Sequence, residues 1–253
     1  MTRLRAARGP LILAVTLGAL AHPAVAGALW SVLGDGRAVP VPAERLLALA
    51  GQHALVAGLG VMGAALLGIG LGLAVTRRAG LPLRRLVETF GAGLQAMPPV
   101  VVVALAFPVL GFGIAPTALA LVAYAVLPIL RATVDGLDTV PSDLREAARA
   151  MGLTPLQRLV EVDLPLAAPV VAGALRTAAM LAVATAAVGA LAGAATLGTP
   201  IIIGLQTQNT LSVLQGAAAT AALAFIADAA LTLAFGAPVR EVGREAGDVA
   251  KAV

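Results

Sequence analysis

The sequence predicts an all-α membrane protein, a polytopic helical bundle of about six transmembrane helices, with five possible. Three observations lead there. The 253 residues are 60% hydrophobic and only 12% charged, with a mean hydropathy of +0.97, whereas a water-soluble domain carries about 25% charged residues. The apolar residues run in continuous stretches near the ~20 that an α-helix needs to cross a bilayer core, and not in the period-two alternation of a membrane β-barrel. The basic residues fall almost wholly on one side of those stretches, as the positive-inside rule expects of a spanning chain.

Six segments read as spans: 10–33, 48–75, 86–110, 114–134, 168–196 and 211–236. RLRAAR just ahead of the first, followed by LILAVTLGALA and HPAVAGA within it, is a pattern shared with cleaved signal peptides. Cleavage there would leave five spans in the same orientation. The second holds GLGVMGAALLGIGLG at 58–72. Such glycines inside an apolar span serve close helix packing, not phosphate binding. The third carries Gln95 ahead of Met97-Pro98-Pro99, and two prolines in succession predict a kink or hinge. In the fifth span, Arg176 is expected to extend to the inner interface. Asp228, late in the sixth, is expected to pair with Arg176 or Arg240, because a lone carboxylate in the membrane is costly.

With the N-terminus placed in the cytoplasm, fourteen of the 17 basic residues fall inside. These are Arg3, Arg5, Arg8, Arg77, Arg78, Arg84, Arg85, Arg131, Arg145, Arg149, Arg158, Arg240, Arg244 and Lys251. Only Arg37 and Arg45 fall outside. Both termini and the loop 138–166 are therefore expected in the cytoplasm. The chain divides into an N-terminal helix with its outer loop (1–47), a transmembrane domain (48–236) and a cytoplasmic tail (237–253).

Several chemistries have no basis in the residues. There is no Cys, hence no thiolate site or disulfide. His22 and His53 lie in or beside apolar segments and make an imidazole metal centre unlikely by number alone. No G-x-x-x-x-G-K-[ST] loop occurs, so no cofactor is expected in this chain and nothing is assigned as catalytic. The isoelectric point near 10.9 is read as membrane sidedness, with lipid and not nucleic acid as the partner of the basic face.

The polar stretch EAARAMGLTPLQRLVEVDLP (146–165) interrupts this apolar pattern. Ser142 is expected to cap a first helix, with Asp143 and Glu146 near its N-terminus. Gly152 suits the left-handed residue that ends it. Thr154, Pro155 and Gln157 form a capping box for a second helix, which Pro165 and Pro169 are expected to close. Two short helices joined at Gly152 have the shape of a plug for a groove on another protein, or of an amphipathic loop lying on anionic lipid. Ala147, Ala148, Met151 and Leu153 would give an apolar contact set, and Arg145 and Arg149 would reach an acidic rim.

Glu146-Ala147-Ala148, Gly152 and Leu164-Pro165, spaced EAA-x3-G-x11-LP, resemble the EAA motif of permease subunits of binding-protein-dependent ABC importers. The resemblance implies that Glu146, Ala147, Ala148, Arg149 and Gly152 couple the chain to a partner ATPase, with Leu164 and Pro165 orienting the loop. It implies ATP and Mg on the ATPase subunits and a second permease subunit, as a homo- or heterodimer. A periplasmic or lipid-anchored solute-binding protein and the bacterial cytoplasmic (inner) membrane complete the expected setting. LPILRATVDGL (127–137), LPLAAPVVAGALRTA (164–178) and TLGTPIIIGL (196–205) resemble the osmoprotectant branch, which imports glycine betaine and choline. One departure is Ala195-Thr196-Leu197-Gly198, where many relatives carry Gly-Gly-Leu-Gly. Importers of amino acids, methionine or taurine share the EAA loop and are the alternative. A secondary carrier is the remote one, since 48–134 and 168–236 show no internal repeat. Gln95, Pro98, Pro99, Thr177 and Asn209 are expected along the passage. One Trp, one Tyr and five Phe are too few and scattered for an aromatic cage, so selectivity is expected in the binding protein.

Overall fold

The computed structural model describes residues 2–33, 38–77 and 81–236. Arg37, Arg78, Arg240, Arg244, Lys251 and the tail 237–253 lie outside the described residues. Among the described residues every regular element is helical. That follows from a backbone in lipid, which must satisfy its polar groups internally.

Helix α1 (Thr2–Ala21) and helix α2 (Pro23–Leu33) replace the single first span expected at 10–33. The break falls at His22 because Pro23 has no N–H and disfavours helical backbone in the residue before it. The carbonyl of Ala21 accepts a hydrogen bond from Gln215 Nε2 at 3.0 Å. Helix α3 (Ala43–Val75) is followed, where the third span is expected, by α4 (Leu81–Ala96) and α5 (Pro99–Leu110), two helices set at 99° to each other across Met97-Pro98. Helix α6 (Ile114–Asp138) leads into the hairpin α7 (Ser142–Ala150) and α8 (Pro155–Arg158). Next come α9 (Leu164–Ala186), α10 (Gly198–Gln206) and α11 (Thr210–Phe235). Five helical stretches are long and apolar enough to cross a membrane, or six if the bent pair crosses as one span.

One expectation about the fifth span is corrected. Pro165 and Pro169 do not close the second hairpin helix: Pro155–Ala192 is one continuous rod. A π-turn at Leu159–Asp163, in which the Leu164 N–H bonds the Leu159 carbonyl, widens the helix just before Pro165. That relieves the clash between a proline ring and the carbonyl four residues back. At the other end α9 tightens into a 3-10 turn, Ala187–Ala192, and stops at left-handed Gly193. The connection at 197–210 contains α10.

The core is a seam between α3 and α6. Gly60, Ala64, Gly68 and Gly72 recur every four residues and so share one face of α3. A Cβ added at Gly60 would lie 2.5 Å from Leu121 Cβ, and one at Gly68 would lie 2.8 Å from the Val126 carbonyl oxygen. Ala64 packs fully buried against Ala125 and Ile129. Small residues thus let two long helices approach closely, the packing available where no water remains to expel. Helix α11 lies along α1 and α9. Arg3 donates to the carbonyls of Leu233 (3.4 Å) and Ala234 (3.0 Å). This cation at the C-terminus of α11 places the start of α1 and the end of α11 at the same end of the bundle.

Candidate functional site

The hairpin is shaped by local chemistry. Helix α7 follows Pro141, which occupies the cap position expected of Ser142 and offers no side-chain cap bond. Asp143 in its first turn and Arg149 in its last complement the helix dipole. It ends in a Schellman motif: Leu153 N–H bonds the Ala148 carbonyl at 3.1 Å and Gly152 N–H bonds that of Arg149 at 2.9 Å. Gly152 has φ +83° with nothing within 4 Å of an added Cβ, so its requirement is conformational and not spatial. Across the turn, Thr154 Oγ1 accepts from Gln157 N–H at 3.3 Å while Gln157 Oε1 accepts from Thr154 N–H at 2.9 Å. The capping box of the sequence is present, and it fixes the angle between α7 and α8.

The expected contact set divides. Ala148 is 1% exposed and roots α7 on the bundle, and Leu153 is half-buried. Glu146, Ala147 and Arg149 face outward with Met151 (72% exposed) and Leu156 (66%). Arg145 does not reach outward. Its Nε donates to Asp163 Oδ1 at 2.8 Å, and its guanidinium also donates to the Leu137 carbonyl. Arg158 Nε lies 3.5 Å from the second Asp163 oxygen. A carboxylate 5% exposed draws a cation inward more strongly than open solvent does. Arg145 thereby joins the end of α6, the start of α7 and the base of α9. Half-buried Leu164 and exposed Pro165 follow Asp163 directly. Behind the hairpin lies a cleft of about 690 Å³ that includes Thr76, Arg77, Asp138 and Arg158.

The residues expected along the passage occupy separate places. Gln95, half-buried, donates from Nε2 to the Tyr124 carbonyl at 2.9 Å and ties the bent span to α6. Pro98 and Pro99 form the bend itself, as cap and first residue of α5. Thr177 is exposed on α9 and bonds back to the Gly173 carbonyl. Asn209 caps α11 at the end opposite the hairpin, accepting from Ser212 N–H at 3.1 Å and donating to the Val39 carbonyl at 3.1 Å.

Arg176 does not extend to an interface. Its Nη2 lies 2.7 Å and its Nε 2.8 Å from Asp228 Oδ1, bridging α9 and α11. Asp228, 7% exposed, thus takes one of its two expected partners. The sequence reading missed Asp163 and His53. An acid immediately before Leu164-Pro165, and a lone histidine in an apolar span, were the only signals either carried.

Residues 65–235 match the family model described as binding-protein-dependent transport system inner membrane component. The chain is 37% identical over 187 residues, 74% of its length and 79% of the relative's, to the osmoprotectant import permease protein OsmY of Salmonella typhimurium. It is 37% identical over 181 residues, 70% and 77% of the two lengths, to the glycine betaine/carnitine/choline transport system permease protein OpuCD of Bacillus subtilis. Among solved structures, the inward-facing MetNI methionine ABC transporter shares the fold with a TM-score of 0.60 at 24% identity, covering 74% of this chain and 94% of that one. An amino acid ABC transporter does so at 0.63 and 18%, covering 75% and 92%. The chain belongs to the family of binding-protein-dependent transport system inner membrane components, as a multi-pass permease subunit of an ABC importer.

Proposed function

We propose that this permease moves an osmoprotectant of the quaternary ammonium class, such as glycine betaine or choline, and that the hairpin 142–158 is where a partner ATPase engages it. One observation carries the coupling reading. The hairpin is rigidly built and rooted through Ala148 and Asp163, yet presents Ala147, Met151 and Leu156 outward, uncovered by any of the described residues. Apolar side chains in a stretch too polar to lie within a bilayer call for a protein groove. Glu146 and Arg149 flank them and set polar contacts at the rim, Gly152 holds the angle, and Leu164 and Pro165 lie within the rod that carries movement into the bundle. Because Pro155–Ala192 is continuous, displacing the hairpin would tilt the whole fifth span as a lever.

On this reading the hairpin end faces the cytoplasm, and both chain ends lie there. ATP and Mg are held by the ATPase, a second permease subunit completes the passage, and an external binding protein delivers the solute. Gln95, the Pro98-Pro99 bend and Thr177 would border the passage, while Asn209 would shape the outer surface. The cargo is drawn from the relatives that import osmoprotectants. The test uses the absence of Cys in the chain. Met151→Cys should cross-link to a cysteine placed in the co-expressed ATPase, and vesicles holding the full importer should accumulate labelled glycine betaine or choline. A hairpin that cross-links only from the outer face defeats the coupling reading. Uptake of methionine in place of either solute defeats the cargo.

A further inference from the structure

His53 lies on α3 with no exposed surface. Its two ring nitrogens have different partners. The backbone N–H of Leu197 points at Nδ1 at 3.1 Å, and the carbonyl of Val183 lies 2.7 Å from Nε2. A backbone N–H can only donate and a carbonyl can only accept. The ring must therefore be neutral, with its proton on Nε2.

The two partners mark the limits of the irregular segment at the end opposite the hairpin. An α-turn closing at Ala187 would occupy the Val183 carbonyl, and Ala187 is where α9 gives way to the 3-10 turn. Leu197, fully buried, immediately precedes α10. The same segment is held by Gly113 N–H on the Ala192 carbonyl (2.7 Å) and by Gly198 N–H on Thr196 Oγ1 (3.2 Å). A Cβ at Gly198 would fall 1.9 Å from the Ala187 carbonyl oxygen, so the start of α10 seats directly on the end of α9. Of these ties only the one through His53 reaches α3.

We infer that His53 is a positioning residue for the segment 187–198: as a neutral imidazole it locks that segment onto α3, and uptake of a proton on Nδ1 unlocks it. A protonated Nδ1 turns an acceptor into a donor aimed at the Leu197 N–H, so that bond is lost. The other histidine, His22, is exposed and lines a cavity with Leu46 and Ala50 of α3, but its Nδ1 faces the Ala24 N–H and not the segment 187–198. Residues 177–227, which supply the outer parts of α9 and α11 and all of α10, contain no Asp, Glu, Lys, Arg or His. In α6, residues 114–130 offer only Tyr124 as a titratable group, and the charges of α4 (Arg84, Arg85 and Glu88) lie in its hairpin-end half. On α3 itself Glu44 and Arg45 sit about two turns away. The inference is independent of the solute carried.

The full chain in lipid nanodiscs tests it, with both faces open to a water-soluble maleimide. Ala194→Cys, at a position 2% exposed whose side chain makes none of these ties, reports on the buried segment, and exposed Gln206→Cys is the reference measured at the same pH. With His53 intact, the labelling ratio should rise about tenfold between about pH 8 and about pH 5, the effect of losing one buried hydrogen bond. His53→Leu should give a high ratio at both pH values with unchanged helix content by circular dichroism. His53→Asn, which keeps an acceptor for Leu197 and cannot take up a proton, should restore a low ratio at both. A flat, low ratio with His53 in place would overturn the inference. So would a pH response that survives His53→Leu.

Discussion

At the hairpin end the helices are joined by charge: Arg3 caps α11, Arg145 and Arg158 enclose Asp163, and Arg84 reaches Glu88 and Asp138. At the opposite end the ties are neutral. His53 bonds Val183 and Leu197, Gln215 bonds Ala21 and Val41, Asn209 bonds Val39, and Ser212 bonds Pro200. Arg176–Asp228 lies within the spans, the one ion pair of the described residues that joins two transmembrane helices away from the hairpin. The contrast teaches what each end can tolerate. A guanidinium bridges elements strongly but leaves a stranded charge when its partner goes, whereas a neutral amide leaves only an unpaired dipole. The charged end holds the proposed coupling hairpin rigid at its root, and the neutral end can be rearranged with little electrostatic cost.

Three substitutions sharpen that contrast, and the largest effect is expected at Asp163. Asp163→Ala strands Arg145 and Arg158 together and should cost about 3 kcal/mol, the lower part of the range for a broken buried pair because Arg145 is partly hydrated. Denaturant unfolding in detergent reads the loss, and faster tryptic cleavage at Arg149 and Arg158 reads the loosened hairpin. A stable, protease-resistant Asp163→Ala protein would mean the hairpin is rooted by packing alone.

Arg176→Leu should cost somewhat less, about 2–3 kcal/mol, through the carboxylate it leaves at Asp228. Adding Asp228→Leu should recover most of that stability, since two apolar residues need no partner in lipid. A double variant as unstable as the single one would place the effect in shape and not in charge. Gln215→Leu, at the neutral end, should cost about 1–2 kcal/mol by unpairing the Ala21 and Val41 backbone groups. It should also raise hydrogen exchange at Val41 without changing exchange in the hairpin. Loss of hairpin protection in that variant would contradict the separation of the two ends.

Much of this was legible locally. The bend at Pro98-Pro99, the close packing of the glycines at 58–72, the left-handed turn at Gly152 and the Thr154–Gln157 box each depend on neighbours within a few residues. Misreadings arose where a local rule met tertiary context. Pro165 is a helix breaker in isolation, yet a π-turn one step earlier absorbs it. Arg145 reads as a surface charge until Asp163, 18 residues away, is folded beside it. Ser142 could cap α7, but Pro141 already holds the required backbone conformation.

Sequence by itself determined that this chain spans a membrane about six times, carries a capped polar hairpin and belongs with importer permeases, because length, composition, capping and motif spacing act along the chain. Only the tertiary structure decided that Arg176 meets Asp228 across 52 residues and that His53 meets Leu197 across 144. In an apolar interior each buried polar group must find a partner wherever the packing of helices brings one, and that choice is made in space, not along the chain.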